Sequence, residues 1–132
     1  MKSENLKIIV VDDEDVYHRL LKVMLRKYDF DVVFCNNYYS LKELAKQSPK
    51  HIIIMDYNLG GESGADYIKK LNFERISDLN FIAISASENP TIKDEMMELG
   101  AKRFFLKDDE LIKHLPDAIL DLGKKLGYIS EK

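Results

Sequence analysis

Residues 51–61 read HIIIMDYNLGG: the apolar run Ile52–Met55 ends on the carboxylate of Asp56 and continues into a turn rich in Asn and Gly. An apolar run without polar alternation is typical of a strand covered on both faces, as in the parallel sheets of α/β proteins. Asp56 is then either the first polar residue where the strand reaches the surface or a carboxylate held rigidly at a site. The elements on either side decide between these two interpretations.

Length and composition favour one globular domain. The chain has 132 residues, of which 45% are hydrophobic and 33% charged, and its net charge is −3. These values are ordinary for a globular domain, and an acidic balance does not favour direct binding of nucleic acid. We expect a single domain over residues 1–132, with a core over residues 6–126 and residues 127–132 as a tail or the start of a linker.

The single cysteine and the N-terminal sequence predict a cytoplasmic chain. Cys35 lies in the apolar stretch VVFC and has no second cysteine with which to form an internal disulfide, so a reducing compartment is expected. The N-terminal stretch MKSENLKIIVVDDED contains an apolar run that is too short for a signal peptide or a membrane span. We therefore expect no membrane segment.

Short apolar runs alternate with helical patterns along the chain. The candidate strands, each short and rich in Ile, Val or Phe, are Lys7–Val11, Val32–Cys35, Ile52–Met55, Phe81–Ile84 and Arg103–Leu106. Apolar residues spaced three or four apart predict helices around Val16, Leu20 and Met24; Leu41, Leu44 and Ala45; Ile68 and Leu71; Ile92, Met96 and Leu99; and Ile119, Leu122 and Leu126. Because proline breaks a helix interior, we expect a short turn near Asp109 and a last helix that begins at Pro116.

Alternating strands and helices predict a doubly wound α/β fold, with a five-stranded parallel sheet and helices on both faces. With strands counted along the chain, the flavodoxin-like order 2-1-3-4-5 places the first and third strands side by side. Ligands of such sheets bind beyond the carboxyl ends of the strands. Asp12 and Asp13 follow the first strand, and Asp56 ends the third. Ser85 follows the fourth and Lys107 the fifth, so we expect these side chains at one edge.

This set of residues suits phosphoryl transfer. Three carboxylates brought together repel one another unless a cation or a proton joins them, and oxygen ligands suit a hard ion such as Mg²⁺. A magnesium site of Asp12, Asp13 and Asp56 could also hold a phosphoryl oxygen. Asp56 could then act as a nucleophile and form an acyl phosphate. Lys107 would neutralise charge on the transferring group, and the hydroxyl of Ser85 would donate to a phosphoryl oxygen.

The motifs resemble the receiver domain of two-component response regulators, of the chemotaxis-regulator type, over nearly the whole chain. The resemblance is carried by the acid pair in VVDDED, the aspartate in IIIMDYNL, the hydroxyl residue in IAISAS and the lysine in RFFLK. It implies that Asp56 is the phosphoacceptor. It also implies that Asp13 and Asp56 bind Mg²⁺ directly, Asp12 through water, and Asn58 through its main-chain carbonyl.

The same resemblance implies a phosphorylation-dependent signalling switch, not an enzyme that turns over substrates. A sensor histidine kinase or a phosphotransfer protein would donate the phosphoryl group. The response would travel through the switch residues Ser85 and Phe104 to a downstream protein or output domain, which would bind the face formed by the fourth helix, the fifth strand and the last helix. The sequence leaves open whether the chain forms a homodimer and whether it acts alone or belongs to a longer protein.

Three positions depart from the family pattern, and at one of them Ser85 replaces the commoner threonine but keeps the hydroxyl. Where the family often has a proline joined to the lysine by a cis bond, Asp108 follows Lys107. A cis bond is costly without proline, so we expect a trans bond and a reshaped loop. We also expect the acidic run Asp108–Glu110 to compete for the lysine. Gly60 stands where the family often has proline, which should loosen the loop.

Two other functions remain open from sequence. A phosphatase of the haloacid-dehalogenase type also places a nucleophilic aspartate after an apolar strand, but Asn58 replaces the second acid of its D-x-D motif. A receiver fold that serves only as a binding module, without phosphorylation, is compatible with the departure at Asp108. The acids Asp12, Asp13 and Asp56 argue against it.

Overall fold

The computed structural model describes residues 6–28, 30–76 and 78–130. Within these residues the main sheet has strands that we number β1 (Lys7–Val11), β2 (Asp31–Cys35), β3 (His51–Asp56), β4 (Phe81–Ser85) and β5 (Arg103–Leu106). The helices that alternate with them are α1 (Asp15–Leu25), α2 (Tyr38–Gln47), α3 (Gly64–Phe73), α4 (Pro90–Glu98) and α5 (Asp109–Lys125). Between β3 and α3, the short segments Asn58–Leu59 and Glu62–Ser63 pair antiparallel in a small hairpin that the sequence did not predict.

All strand pairs of the main sheet are parallel, and their order is β2-β1-β3-β4-β5. This confirms the predicted doubly wound fold and its flavodoxin-like order. The register aligns the carboxyl ends of the central strands: Val11 pairs with Met55, and Asp56 pairs with Ile84. The residues that follow β1, β3, β4 and β5 therefore emerge at one edge of the sheet.

The core has two apolar layers, because side chains on successive strand residues point to opposite faces. On one face, Ile8, Val10, Ile52 and Ile54 pack with apolar residues of α1 and α5. On the other, the intervening residues of the same strands pack with residues of α2, α3 and α4. Continuous apolar strands are explained by this burial on both sides. No helix within the described ranges is both long and apolar enough to cross a membrane.

The buried face of α1 is rotated by one residue from the predicted one. Val16, predicted to face the core, is 66% exposed, whereas Leu21 and Leu25 are fully buried. Tyr17 completes this face as a partly buried residue packed against the core. Apolar residues occur on both stripes of the helix, so their spacing alone could not identify the buried one.

The predicted break at Pro116 is wrong, because α5 runs without interruption from Asp109 to Lys125 with Pro116 inside it. Proline removes one backbone donor and costs about 3 kcal/mol in a helix interior. The same helix buries Leu111, Leu115 and Ile119 completely against the sheet. Burial of each such side chain stabilises by roughly 1.5–3 kcal/mol, so their sum exceeds the cost of the proline.

Gly64 lets α3 start directly against the end of β3. Its N–H donates to the carbonyl of Tyr57 at 2.6 Å. A Cβ added at Gly64 would collide with the backbone carbonyl oxygen of Asp56 and with the side chain of Met55. The loop that follows Asp56 is therefore held in place by a close backbone approach that only glycine permits.

Gly64→Ala should lower the free energy of unfolding by about 1–3 kcal/mol, the usual cost of overpacking a tight site. Gly61→Ala is the matched control, because nothing lies within 4 Å of a Cβ added there. Urea denaturation of both variants measures the difference. Equal stability of the two variants would show that the close approach at Gly64 does not constrain the loop.

Candidate functional site

Three carboxylates meet at the carboxyl edge of the sheet. One carboxylate oxygen from each of Asp12, Asp13 and Asp56 lies within 4.8 Å of the other two. Asp12 and Asp56 are buried, with exposed fractions of 0% and 2%, whereas Asp13 is exposed. The structure therefore brings together the three acids that the sequence placed after β1 and at the end of β3.

The ammonium of Lys107 lies among these acids. Its Nζ atom is 2.9 Å from Oδ2 of Asp56, 3.0 Å from Oδ2 of Asp12 and 2.8 Å from Oε1 of Glu14. The Lys107 side chain is only 2% exposed. Its backbone N–H donates to the carbonyl of Ser85 at 2.8 Å, which extends the pairing of β4 and β5 up to the lysine. Such buried, charge-assisted contacts fix the ammonium within reach of Asp56.

Burial and charge together perturb the two central groups. The pKa of Asp56 is raised from 3.8 to about 7, chiefly because burial penalises its charged form, and Asp12 adds to the rise. Lys107 and a backbone hydrogen bond from Asn58 oppose this rise. Burial alone would lower the pKa of Lys107, but its contacts with Glu14, Asp56 and Asp12 raise it. Lys107 therefore stays charged at neutral pH.

The raised pKa of Asp56 makes stability depend on pH. Between 3.8, the usual value, and about 7, the folded protein holds this proton more tightly than the unfolded chain does. The contribution of Asp56 to stability is therefore greatest below this window and falls as pH rises through it. A bound cation would favour the charged carboxylate and oppose this loss.

The donor set fits a hard cation. Oδ2 of Asp12 is fully buried and makes no hydrogen bond, although it lies at ion-pair distance from Lys107. Three carboxylates, those of Asp12, Glu14 and Asp56, contact the one ammonium, and that of Asp13 lies beside those of Asp12 and Asp56, so carboxylates outnumber the cation. Carboxylate oxygens suit Mg²⁺, and the exposed Asp13 opens the group to water, which Mg²⁺ retains in proteins.

The remaining predicted residues lie around this group. Ser85 is buried at the end of β4, and its Oγ accepts a hydrogen bond from the N–H of Ser87 at 3.0 Å. Asn58 is exposed in the small hairpin directly after Asp56. Phe104 is half-buried on β5 and lines a surface cavity of about 380 Å³ together with residues at the starts of α4 and α5. The geometry is compatible with the predicted roles of Ser85 and Asn58, and the switch role of Phe104 stays a prediction.

The acidic run after Lys107 does not compete for the lysine, so that prediction is wrong. Asp108 caps α5 instead, and its carboxylate accepts the N–H of Glu110 at 2.9 Å. The described residues contain no cis peptide bond, so the bond after Lys107 is trans, as expected. Gly60 has φ +80°, a backbone conformation closed to proline, and lies beside the carboxylate of Asp13.

Sequence reasoning missed two residues of the site. No role was assigned to Glu14 from the sequence, yet its carboxylate contacts Lys107 at 2.8 Å. Tyr17, on the first turn of α1, donates its hydroxyl proton to the carbonyl of Lys107 at 3.2 Å. The available signal was their position: Glu14 directly follows the acid pair, and Tyr17 lies one turn later on α1, in the segment that leaves the functional edge of the sheet.

Comparisons with known proteins agree with this geometry. The family model of the response regulator receiver domain matches residues 8–116. The nitrate/nitrite response regulator protein homolog of Haemophilus influenzae is 28% identical over 127 residues, which cover 95% of this chain and 58% of that relative. The chain thus spans about half the length of the curated relatives it matches.

Two solved structures show the same fold. The Vibrio cholerae chemotaxis protein CheY4 has a TM-score of 0.75 and 17% identity, over 88% of this chain and 97% of that chain. The second is a co-crystal structure from Saccharomyces cerevisiae, of the histidine phosphotransfer signaling protein Ypd1 and the receiver domain of its downstream response regulator Ssk1. The match has a TM-score of 0.66 and 22% identity, over 77% of this chain and 78% of the matched chain. With the family match over most of its length and the acid group at the expected edge, this chain belongs to the receiver-domain family of response regulators in two-component signalling.

Proposed function

We propose that Asp56 accepts a phosphoryl group and that this modification switches the binding of a partner. The observation that carries the proposal is the contact between Asp56 and the buried ammonium of Lys107, 2.9 Å apart, beside Asp12 and Asp13. A strand that is covered on both faces delivers the carboxylate of Asp56 rigidly to this edge. Positioned charge of this kind is the main requirement of phosphoryl transfer.

The transfer step uses Asp56 as the nucleophile. A carboxylate oxygen bonds to phosphorus while the phosphorus–nitrogen bond of a phosphohistidine donor breaks, and the electron pair of that bond stays on the departing imidazole. The product is an acyl phosphate on Asp56. Lys107 neutralises charge on the phosphoryl oxygens, and Ser85, whose hydroxyl keeps a proton to donate, binds one of them.

We propose Mg²⁺ as the cofactor of this site. Asp12, Asp13 and Asp56 would hold it, with the main-chain carbonyl of Asn58 as a further ligand. When bound, Mg²⁺ stabilises negative charge on the transferring phosphoryl group. The buried Oδ2 of Asp12 and the excess of carboxylates over ammonium groups support this assignment.

The proposed donor is a sensor histidine kinase or a phosphotransfer protein. The proposed output surface is the face of α4, β5 and α5. It carries Phe104 beside the surface cavity, and it exposes Met97 by 42% on α4 and Ile112 by 43% on α5. Exposed apolar side chains suit a protein partner. A change at Ser85 can reach this face because β4 pairs directly with β5.

Neither alternative function is favoured by membership of the receiver family. A haloacid-dehalogenase-type phosphatase would turn over small phosphoesters. A receiver domain instead takes up one phosphoryl group on Asp56, which stays there until it is hydrolysed. A binding module without phosphorylation leaves the convergence of Lys107 on Asp56 without a function. Phosphorylation of Asp56 and continuous hydrolysis of phosphoesters distinguish these functions.

Incubation with acetyl phosphate and Mg²⁺ should add one phosphoryl group to the wild-type protein, as measured by intact mass. Asp56→Asn should abolish the addition, because the amide is not a nucleophile of this kind. Asp94→Asn, a change at an exposed position on α4, is the control and should be phosphorylated like the wild type. Modification that persists in Asp56→Asn would refute the assignment, and continuous hydrolysis of simple phosphoesters would favour the phosphatase.

Mg²⁺ should raise the melting temperature of the wild-type protein, since a ligand that binds only the folded state stabilises it by about 2.7 kcal/mol at a hundred-fold excess over its Kd. Asp13→Asn should remove this response, and it should raise the stability of the metal-free protein by relieving repulsion. Asp15→Asn, also exposed but at the start of α1, is the control. A wild-type response to Mg²⁺ in Asp13→Asn would place the metal elsewhere.

A further inference from the structure

We propose that Tyr17 is a positioning residue for Lys107 and thereby sets the rate of phosphoryl transfer to Asp56; this inference rests on the proposed function of the site. Tyr17 lies on the first turn of α1, and both its hydroxyl and its ring contact Lys107. Its effect on the reaction would pass entirely through the lysine.

Tyr17 contacts Lys107 at two separate points. The tyrosine hydroxyl donates to the backbone carbonyl of Lys107 at 3.2 Å. The centre of the tyrosine ring lies 4.3 Å from the Nζ atom of the same lysine. One side chain therefore holds both the backbone and the ammonium of Lys107. An ammonium this close to an aromatic ring is attracted by it, more strongly where water is excluded.

Lys107 lies in the connection between β5 and α5, where its backbone needs hydrogen bonds from other elements to hold it in place. The lysine lies between Leu106, the last residue of β5, and Asp108, which caps α5, so it belongs to neither element. Its N–H is held by the carbonyl of Ser85. Its carbonyl accepts the hydroxyl of Tyr17. The two bonds fix the peptide groups on either side of the lysine.

The ammonium end needs the same restraint. A lysine side chain has a flexible four-carbon stem, and much of its rotamer freedom must be lost before it can hold a defined position. Glu14, the residue that precedes α1, contacts the ammonium through its carboxylate. The N–H of Tyr17 donates to the carbonyl of Glu14 at 3.0 Å, which joins the two residues. Glu14 and Tyr17 therefore together restrict the ammonium of Lys107 to a position in contact with Asp56.

The hydroxyl of Tyr17 is suited to be a donor. Burial raises the pKa of Tyr17, and the nearby charge of Lys107 only partly opposes this. The hydroxyl therefore keeps its proton at neutral pH. The competing interpretation is that Tyr17 only fills space, because its ring also packs against the core between α1, α5 and the sheet.

The test compares Tyr17→Phe, which removes only the hydroxyl, with Tyr17→Leu, which also removes the ring. The rate of phosphorylation by acetyl phosphate should fall about five-fold in Tyr17→Phe, the size expected from loss of one orienting hydrogen bond, and further in Tyr17→Leu. Both variants should still bind Mg²⁺, because they retain all of its proposed ligands. Tyr39→Phe, which is 67% exposed on α2, is the control and should react like the wild type.

A second measurement does not depend on phosphorylation. The ring of Tyr17 should shift the proton resonances of the Lys107 side chain upfield, and this shift should persist in Tyr17→Phe and vanish in Tyr17→Leu. If the wild type cannot be phosphorylated but these shifts are seen, the proposed function fails and the contact with Lys107 stands. Wild-type rates in both variants, or a lower melting temperature without a change in rate, would show that Tyr17 only fills space and would overturn the inference.

Discussion

The buried ammonium of Lys107 is the interaction on which the functional edge of this domain depends. It lies within 3.0 Å of carboxylate oxygens on Asp12, Glu14 and Asp56, and water hardly reaches it. Without this cation, two buried carboxylates would face each other in a low dielectric, and at least one would have to take up a proton. With it, the carboxylates still outnumber the cation. The site can therefore be folded in the absence of metal and still attract a further cation and a phosphoryl group.

The fold serves this interaction by aligning strand ends. In the order β2-β1-β3-β4-β5, Asp12 and Asp56 leave neighbouring strands at the same level, and Lys107 arrives from β5 through a hydrogen bond to Ser85. Gly64 then allows α3 to start against the backbone of Asp56, which fixes the loop beyond it. The buried strands thus hold the reactive side chains at their carboxyl ends in fixed positions. Asp13 is exposed, so the site is open to solvent on its side.

The sequence predicted the sheet well because its strands are short, apolar and buried on both faces. Lys7–Val11 and Arg103–Leu106 have the predicted bounds, and the other strands extend by one or two residues. Helix details were harder, since apolar residues occupy two stripes of α1 and tertiary burial overrides Pro116 in α5. The acids and Lys107 could be predicted from their places after strands. The contacts of Glu14 and Tyr17 with Lys107 could not, because they depend on side-chain directions across elements far apart in sequence.

The most direct test of this account is urea denaturation of Lys107→Met and of the wild type in metal-free buffer. The free energy of unfolding is compared at pH 8 and at pH 5. Removing one partner of a buried ion pair typically costs about 3–5 kcal/mol, so the variant should lose that much stability at pH 8. The loss should shrink at pH 5, where the abandoned carboxylates can be protonated. Lys113→Met, at an exposed position on α5, should change little at either pH. Wild-type stability of Lys107→Met at pH 8 would contradict the central role of the buried ammonium.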